Sequence, residues 1–397
     1  MMTRPHQQTE KFEHLTTPHI DEQFMAIALR LAGCGLGATW PNPSVGAVIT
    51  HGNEVVARGW TQPGGRPHGE TDALLRAGEG AKGATMYVTF EPCAHHGQTP
   101  PCADAIVAAG VSRVVCPITD PDPRVAGGGI ARLKDAGVTI ETGVHAAEAR
   151  WLTAGHILRK AERRPFVQLK LAVSADSRIA SGDGAPVWVT GPVARAHGHL
   201  MRATADAILI GRGTIQADDP ELTCRLPGLE HRSPVRILLD SKLGLSPASK
   251  LAQSASHAGL WVFTLAPPNQ NSTDALTNMG VKIHRFGGGQ PGLISPAAAL
   301  ERLADEGITR LLIEGGPRVA RSFLDAGVVD EVLIYRRTRE LGANGLLPLV
   351  DRDLKELEAD TTWQLSEARA LGDDNLVRYR NRASLATLER VAPEPRI

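Results

Sequence analysis

At 397 residues the chain is longer than one ordinary core usually holds, and the length points to two domains. A hydrophobic fraction of 42 % and a charged fraction of 22 % exclude a disordered chain, while 43 basic residues against 43 acidic ones leave no field to attract a nucleic-acid backbone or anionic lipid. No run approaches the ~20 apolar residues of a membrane span, and five cysteines, an odd number, argue against a disulfide framework and for a reducing cytoplasm.

Residues 1–20 read as a polar tail without the apolar stretch of a signal peptide. Phe24, Ile27, Ala28 and Leu31 then give the spacing of an amphipathic helix over 21–32. Val45 to Ile49 and Glu54 to Ala57 flank His51-Gly52-Asn53 as a hairpin. Helices and strands alternate from there: helix 70–76, strand 85–89, helix 102–109, strand 112–116, helix 130–136 and strand 138–141, an α/β layer pattern. We place the first domain at 21–145, a linker helix at 146–164, a second α/β domain at 165–382 and a polar tail at 383–397. Strands of the second domain are expected at 166–173, 207–210, 235–239, 260–264, 281–285, 310–313 and 331–335. The best marked helix there is 296–304, with Ser295 as cap and Pro296 in first place.

Chemistry concentrates in the first domain. His68-Gly69-Glu70 is followed by Pro92-Cys93 and Pro101-Cys102, one imidazole, two thiols and a carboxylate. A structural zinc site closes with four protein ligands, whereas three ligands and a spare Glu describe a catalytic one with a place for water. Zinc lowers the pKa of such water towards ~7. His68, Cys93 and Cys102 are therefore the expected ligands, and Glu70, two residues from His68 and facing elsewhere on a helix, is the expected proton shuttle of a zinc deaminase. Helix starts at the cysteines favour thiolate. A lone His-x-Glu or a pair of buried thiols recurs by chance; the set together, with proline before each cysteine, does not. Cys34, Cys116 and Cys224 read as core thiols.

The stretch from Glu91 to Cys102 resembles one branch of the zinc deaminases, the bifunctional riboflavin-biosynthesis deaminase/reductases. The likeness extends from about Asp21 to about Arg380, through Pro41-Asn42-Pro43-Ser44-Val45-Gly46, Asp120-Pro121-Asp122-Pro123, Asp206 to Gly211, Ala217-Asp218-Asp219-Pro220 and Glu314-Gly315-Gly316. It implies a cytidine-deaminase-like three-layer α/β domain followed by a dihydrofolate-reductase-like α/β domain, in a chain that forms homo-oligomers. The first would hydrolyse the exocyclic amine of a diaminopyrimidinone carrying a ribosylamino 5'-phosphate. The second would reduce the ribosyl group to ribityl with NADPH. Carried over residue by residue, Asn42 would contact the pyrimidine. Ala172, Trp188, Thr214, Asp218 and Ser241 would contact NADPH, as would Gly316, Pro317, Arg318, Val319, Ala320, Arg321 and Ser322. Lys170, Arg202, Leu222, Arg225 and Glu314 would contact the reductase substrate. Gly315-Gly316 after a strand lets backbone N–H groups approach a diphosphate, and Arg202 and Arg225 suit a phosphate.

The chain departs from this pattern in places. Gln98 stands where Lys or Arg usually helps hold the ribose phosphate, Asp72 where many members have His, and Gly69 replaces a common Ala with no expected consequence. Segments 174–178 and 339–342 match poorly, and Pro186 replaces a polar contact. A related deaminase of another pathway with a weakened reductase half is the alternative.

Overall fold

The computed structural model describes residues 17–97, 99–122, 125–180, 189–267, 270–287, 292–342 and 344–395. Trp188, Pro186 and Gln98 lie outside them.

The first sheet has five strands: β1 (Gly46–His51), β2 (Glu54–Trp60), β3 (Thr85–Val88), β4 (Arg113–Cys116) and β5 (Thr139–Thr142), in the order β2-β1-β3-β4-β5. β1 runs antiparallel to β2 and β3, while β3, β4 and β5 are parallel. Alternation along β1 decides which side chain meets which layer. Ala47 and Ile49 join Ala73, Ala103, Ile106, Ile130 and Leu133 of helices Gly69–Ala77, Cys102–Ala108 and Gly128–Asp135. Val48 turns to Phe24, Met25 and Ala28 of helix Thr17–Gly35. The sheet is thus the middle of three layers.

The helix that carries Glu70 lies unusually close to this sheet. A Cβ at Gly59 would collide with the backbone of Ala73, and one at Gly69 with the carbonyl of Val45. Gly69 is therefore not interchangeable with Ala here, contrary to the sequence expectation.

The second sheet has nine strands: β6 (Phe166–Val173), β7 (Ala207–Gly211), β8 (Val235–Leu239), β9 (Leu260–Thr264), β10 (Val281–Arg285), β11 (Arg310–Ile313), β12 (Glu331–Arg337), β13 (Trp363–Leu371) and β14 (Asp374–Asn381). Their order is β10-β9-β8-β7-β11-β6-β12-β14-β13, parallel from β10 to β12 and antiparallel beyond. After β6 the chain builds outward through β7 to β10, then returns to insert β11 between β7 and β6. That reversal makes the carboxyl ends of β6, β7 and β11 a ligand crevice.

Three further expectations need correction. Cys34, expected as a core thiol, is exposed, whereas Cys116 and Cys224 are buried. The linker helix is two helices, Ala146–Leu152 and Ala154–Glu162, broken at Thr153, whose hydroxyl donates to the Ala149 carbonyl at 2.6 Å. The segment 383–397 is no polar tail: Arg382–Val391 is a helix, N-capped by Asn381, whose side chain accepts the Ala383 N–H. Leu388 and Ala392 enter the core of the first domain, and Arg150 donates to the Ala392 carbonyl at 2.8 Å. Leu385, Leu388 and Val391 carry the helical spacing, diluted by polar neighbours. β13 and β14 also lie beyond the expected strands, because β13 is a mostly exposed edge strand with no apolar face to reveal it.

The C-terminal helix thereby closes back onto the first domain. Leu388, 1 % exposed, should cost about 2–5 kcal/mol on replacement by Ala, read as a lowered denaturant midpoint; an unchanged midpoint would show that the helix does not stabilise that core.

Candidate functional site

His68 is the N-cap residue of helix Gly69–Ala77, with extended backbone and no side-chain cap bond, so its ring is free to turn away from the helix. Cys102 opens helix Cys102–Ala108, and Cys93 lies in the loop after β3. Cys93 Sγ accepts the Cys102 N–H at 3.3 Å, so this thiol, rather than one on a helix of its own, receives the help of a helix start. His68 Nδ1 stands 3.3 Å from Cys102 Sγ and 3.8 Å from Cys93 Sγ, and the three ligand atoms lie within 4.8 Å of one another. Tetrahedral bonds of zinc to nitrogen and sulfur place such atoms roughly 3.5–3.8 Å apart. The donor set fits zinc.

Glu70 is buried, and its Oε2 has no hydrogen-bond partner. Burial pushes its carboxyl above the usual range, against the pull of His68. The hydrogen bond from Cys102, and then His68, hold the Cys93 thiol at about 4, while the same bond and burial push Cys102 up. An orphaned carboxylate oxygen beside one imidazole and two sulfurs is the arrangement a metal and its water complete.

Glu91 organises the surrounding loops, a role the motif alone did not reveal. Its Oε2 accepts from Asp120 N and Gly127 N and its Oε1 from Gly129 N, each at 3.0 Å, with Ile130 N at 3.4 Å. Burial raises its pKa against these four bonds. Asp72 plays a structural part, accepting from Trp60 N and Gln62 Nε2 and pairing with Arg76 at 3.1 Å, which ties the helix to β2. Asn42 donates to the Gly65 carbonyl at 3.0 Å and lines a crevice with His156, whose two ring nitrogens have no hydrogen-bond partner.

In the second domain the expected residues gather at the carboxyl ends of the parallel strands. Ala172 lies near the end of β6, Thr214 and Asp218 follow β7, Ser241 follows β8, and Glu314 with the Gly316 turn follows β11. Thr214 Oγ1 is 3.5 Å from where a Cβ on Gly316 would stand, and at Gly315 a Cβ would meet Val319 at 2.8 Å, so bare backbone borders the crevice. Helix Pro317–Asp325 starts there without a side-chain cap; Pro317 has no N–H and Val319 and Ala320 donate to the Gly316 carbonyl, so the Arg318 N–H is the one the first turn leaves to an anion. These features fit a dinucleotide diphosphate. Ala320 and Leu222, by contrast, point into the core, and Arg321 is engaged by Asp325 and the Val350 carbonyl. Ala320 and Leu222 can face a ligand only through their backbones.

Arg202 is not free for phosphate. It grips Glu314 with two bonds of 2.9 and 3.0 Å, and Lys170 stands 3.6 Å from the same carboxylate. Burial raises Glu314, but Arg202 and Lys170 outweigh it and hold the carboxyl at about 2. Arg225 is exposed, 3.4 Å from Glu221. Tyr335 and His197 belong to no motif and only the fold brings them together: His197 Nδ1 and the Tyr335 hydroxyl are 2.6 Å apart, with Lys170 over the tyrosine ring. The fold also opens a cavity of about 280 Å³ between Ser174, Gly191 and the arginines 195, 337 and 339, which no local pattern marks.

The two poorly matching segments meet each other. Asp176 accepts the N–H groups of Leu341 and Gly342 at 3.0 and 2.9 Å, and Ala175 donates to the Arg339 carbonyl. Ser177 takes φ 59°, the left-handed region that a non-glycine residue seldom adopts.

Comparison with known proteins covers both halves. Residues 18–118 match the cytidine and deoxycytidylate deaminase zinc-binding region, and residues 165–377 the RibD C-terminal domain. The riboflavin biosynthesis protein RibD of Escherichia coli strain K12 is 38 % identical over 367 residues, spanning 89 % of this chain and 97 % of that protein. Its Aquifex aeolicus counterpart is 35 % identical over 361 residues, spanning 91 % and 98 %. The crystallised deaminase/reductase of Thermotoga maritima superposes with a TM-score of 0.81 at 32 % identity, covering 92 % of this chain and all of that one (100 %). Acinetobacter baumannii RibD gives 0.80 at 33 %, with 92 % and 99 % covered.

Glu91→Ala leaves up to four interior N–H groups without an acceptor and should destabilise the first domain by about 2–5 kcal/mol. Calorimetric melting would show it, and a melting temperature equal to that of the parent would refute the anchoring role.

Proposed function

This chain belongs to the RibD family of riboflavin biosynthesis, deaminase and reductase in one polypeptide, and we propose that its two reactions are run by the residues gathered at the two sites above. The observation that carries the reading is the convergence of His68, Cys93 and Cys102 beside the unpartnered oxygen of Glu70. The substrate is a diaminopyrimidinone with a ribosylamino 5'-phosphate, from which the first domain releases ammonia before the second reduces the ribosyl group.

His68, Cys93 and Cys102 would hold the zinc, which supplies the Lewis acidity that makes water nucleophilic at neutral pH. Glu70 takes one proton of the attacking water and delivers it to the ring nitrogen, then carries the second, from the hydroxyl now on the ring carbon, to the departing amine. Its raised pKa suits a group that must hold a proton between those transfers. Asn42, fixed by its bond to Gly65, orients the pyrimidine.

In the second domain Thr214, Ser241 and the Gly316 turn would hold NADPH, the source of the hydride. Glu314 stays ionised and is oriented by Arg202, leaving Arg202 a positioning role, while Lys170 is placed to donate a hydrogen bond to the sugar. Arg225 remains the exposed cation for phosphate. Relatives that align across both halves disfavour a deaminase of another pathway with a weakened reductase. Five free cysteines support residence in a reducing cytoplasm, and the open edge strand β13 supports assembly with further copies of the chain. No helix among the described residues is long and apolar enough to cross a membrane.

Glu70→Gln should keep its zinc by elemental analysis while ammonia release falls by about 10²- to 10⁴-fold; normal turnover would remove Glu70 from the mechanism. Glu314→Gln leaves Arg202 and Lys170 without their counter-charge. It should slow NADPH oxidation on the deaminated intermediate by about tenfold or more and spare ammonia release. Equal loss of both activities would contradict separate sites.

A further inference from the structure

Arg66 lies two residues before His68 and is half-buried beside the zinc-ligand cluster. Its Nη1 donates to Thr99 Oγ1 at 2.6 Å, and its Nη2 lies 3.6 Å from the place of a Cβ on Gly97. It therefore bridges the segment that leads into His68 and the loop that joins Cys93 to Cys102.

What distinguishes Arg66 from its neighbours is the absence of a counter-charge. Arg76 is paired with Asp72, and Arg132 with Asp104. Among the described residues no carboxylate lies within ion-pair distance of Arg66, and its hydrogen bond goes to the neutral hydroxyl of Thr99. A guanidinium has five N–H donors in a planar fork, so most of its binding capacity is unspent.

We propose that Arg66 is the phosphate-recognising residue of the deaminase site, binding the 5'-phosphate monoester of the substrate through charge-assisted hydrogen bonds. This rests on the deaminase reading above. Thr99 is the second donor: its oxygen accepts from Arg66, and its hydroxyl hydrogen is left to point at a phosphate oxygen. The cation thus comes from the segment ahead of the first metal ligand, and the loop between the cysteines contributes a neutral hydroxyl. Arg66 sets which pyrimidines are taken, those that carry a phosphate tail, and leaves bond-breaking to Glu70.

The test uses the full-length zinc enzyme and its Arg66→Gln and Arg66→Lys variants, with zinc content and melting temperature checked for each. Ammonia release is measured with the phosphorylated substrate and with the same compound lacking its phosphate. Arg66→Gln should raise KM for the phosphorylated compound by about 10- to 100-fold with a much smaller change in kcat, while its loss on the dephosphorylated compound stays within about threefold. Arg66→Lys, which keeps the charge but loses the fork, should recover part of the KM. An unchanged KM, or equal loss on both compounds, overturns the assignment. Calorimetric titration with ribose 5-phosphate reads the same site without turnover: Arg66→Gln should lose one binding event. If the wild type releases no ammonia at all, the deaminase reading fails, and this titration still decides Arg66.

Discussion

Three buried carboxylates hold the chain together by accepting interior N–H groups that neither sheet nor helix can satisfy. Glu91 does so for the loops around the zinc-ligand cluster. Asp206 takes Thr309 N at 2.7 Å, the Thr309 hydroxyl at 2.6 Å and Arg310 N at 2.9 Å, joining the starts of β7 and β11. Asp330 receives Val167 N, the Ser384 hydroxyl and two bonds from Arg164. It thereby gathers the linker, β6 and the C-terminal helix around one side chain. An interior donor left without an acceptor costs about 1–3 kcal/mol, so each of these acids fixes several segments at once.

The two sites use charge in opposite ways. Around His68 the proton-handling group is Glu70: burial raises its carboxyl and leaves one of its oxygens without a hydrogen-bond partner. Around Glu314 the charges are fixed. Two cations outweigh burial and keep that carboxylate ionised. Hydrolytic deamination moves several protons, whereas reduction by a dinucleotide needs a steady field and an oriented substrate. The different electrostatics match the different chemistry.

Several oddities of the sequence become ordinary once their neighbours are known. Segments 174–178 and 339–342, each a mismatch alone, form one contact through Asp176. Asp72 holds the backbone of β2 and the side chain of Arg76. Gly69 is required by the close approach of its helix to β1. Arg202, a phosphate candidate by position, is occupied by Glu314, and the cation without a carboxylate near the zinc-ligand cluster is Arg66.

The sequence by itself determined the α/β character of both halves, the strands through β12 and the His68, Cys93 and Cys102 set that the fold brings together. Periodicity and ligand chemistry are local properties, written within a few residues of where they act. Only the tertiary structure decided that the C-terminal helix belongs to the first core, that Arg202 answers to Glu314, and that Glu91 feeds four amides. It also decided which side chains of the Gly316 to Ser322 segment face the crevice. Each of those facts is a meeting of segments far apart in the chain, and composition carries no record of distance.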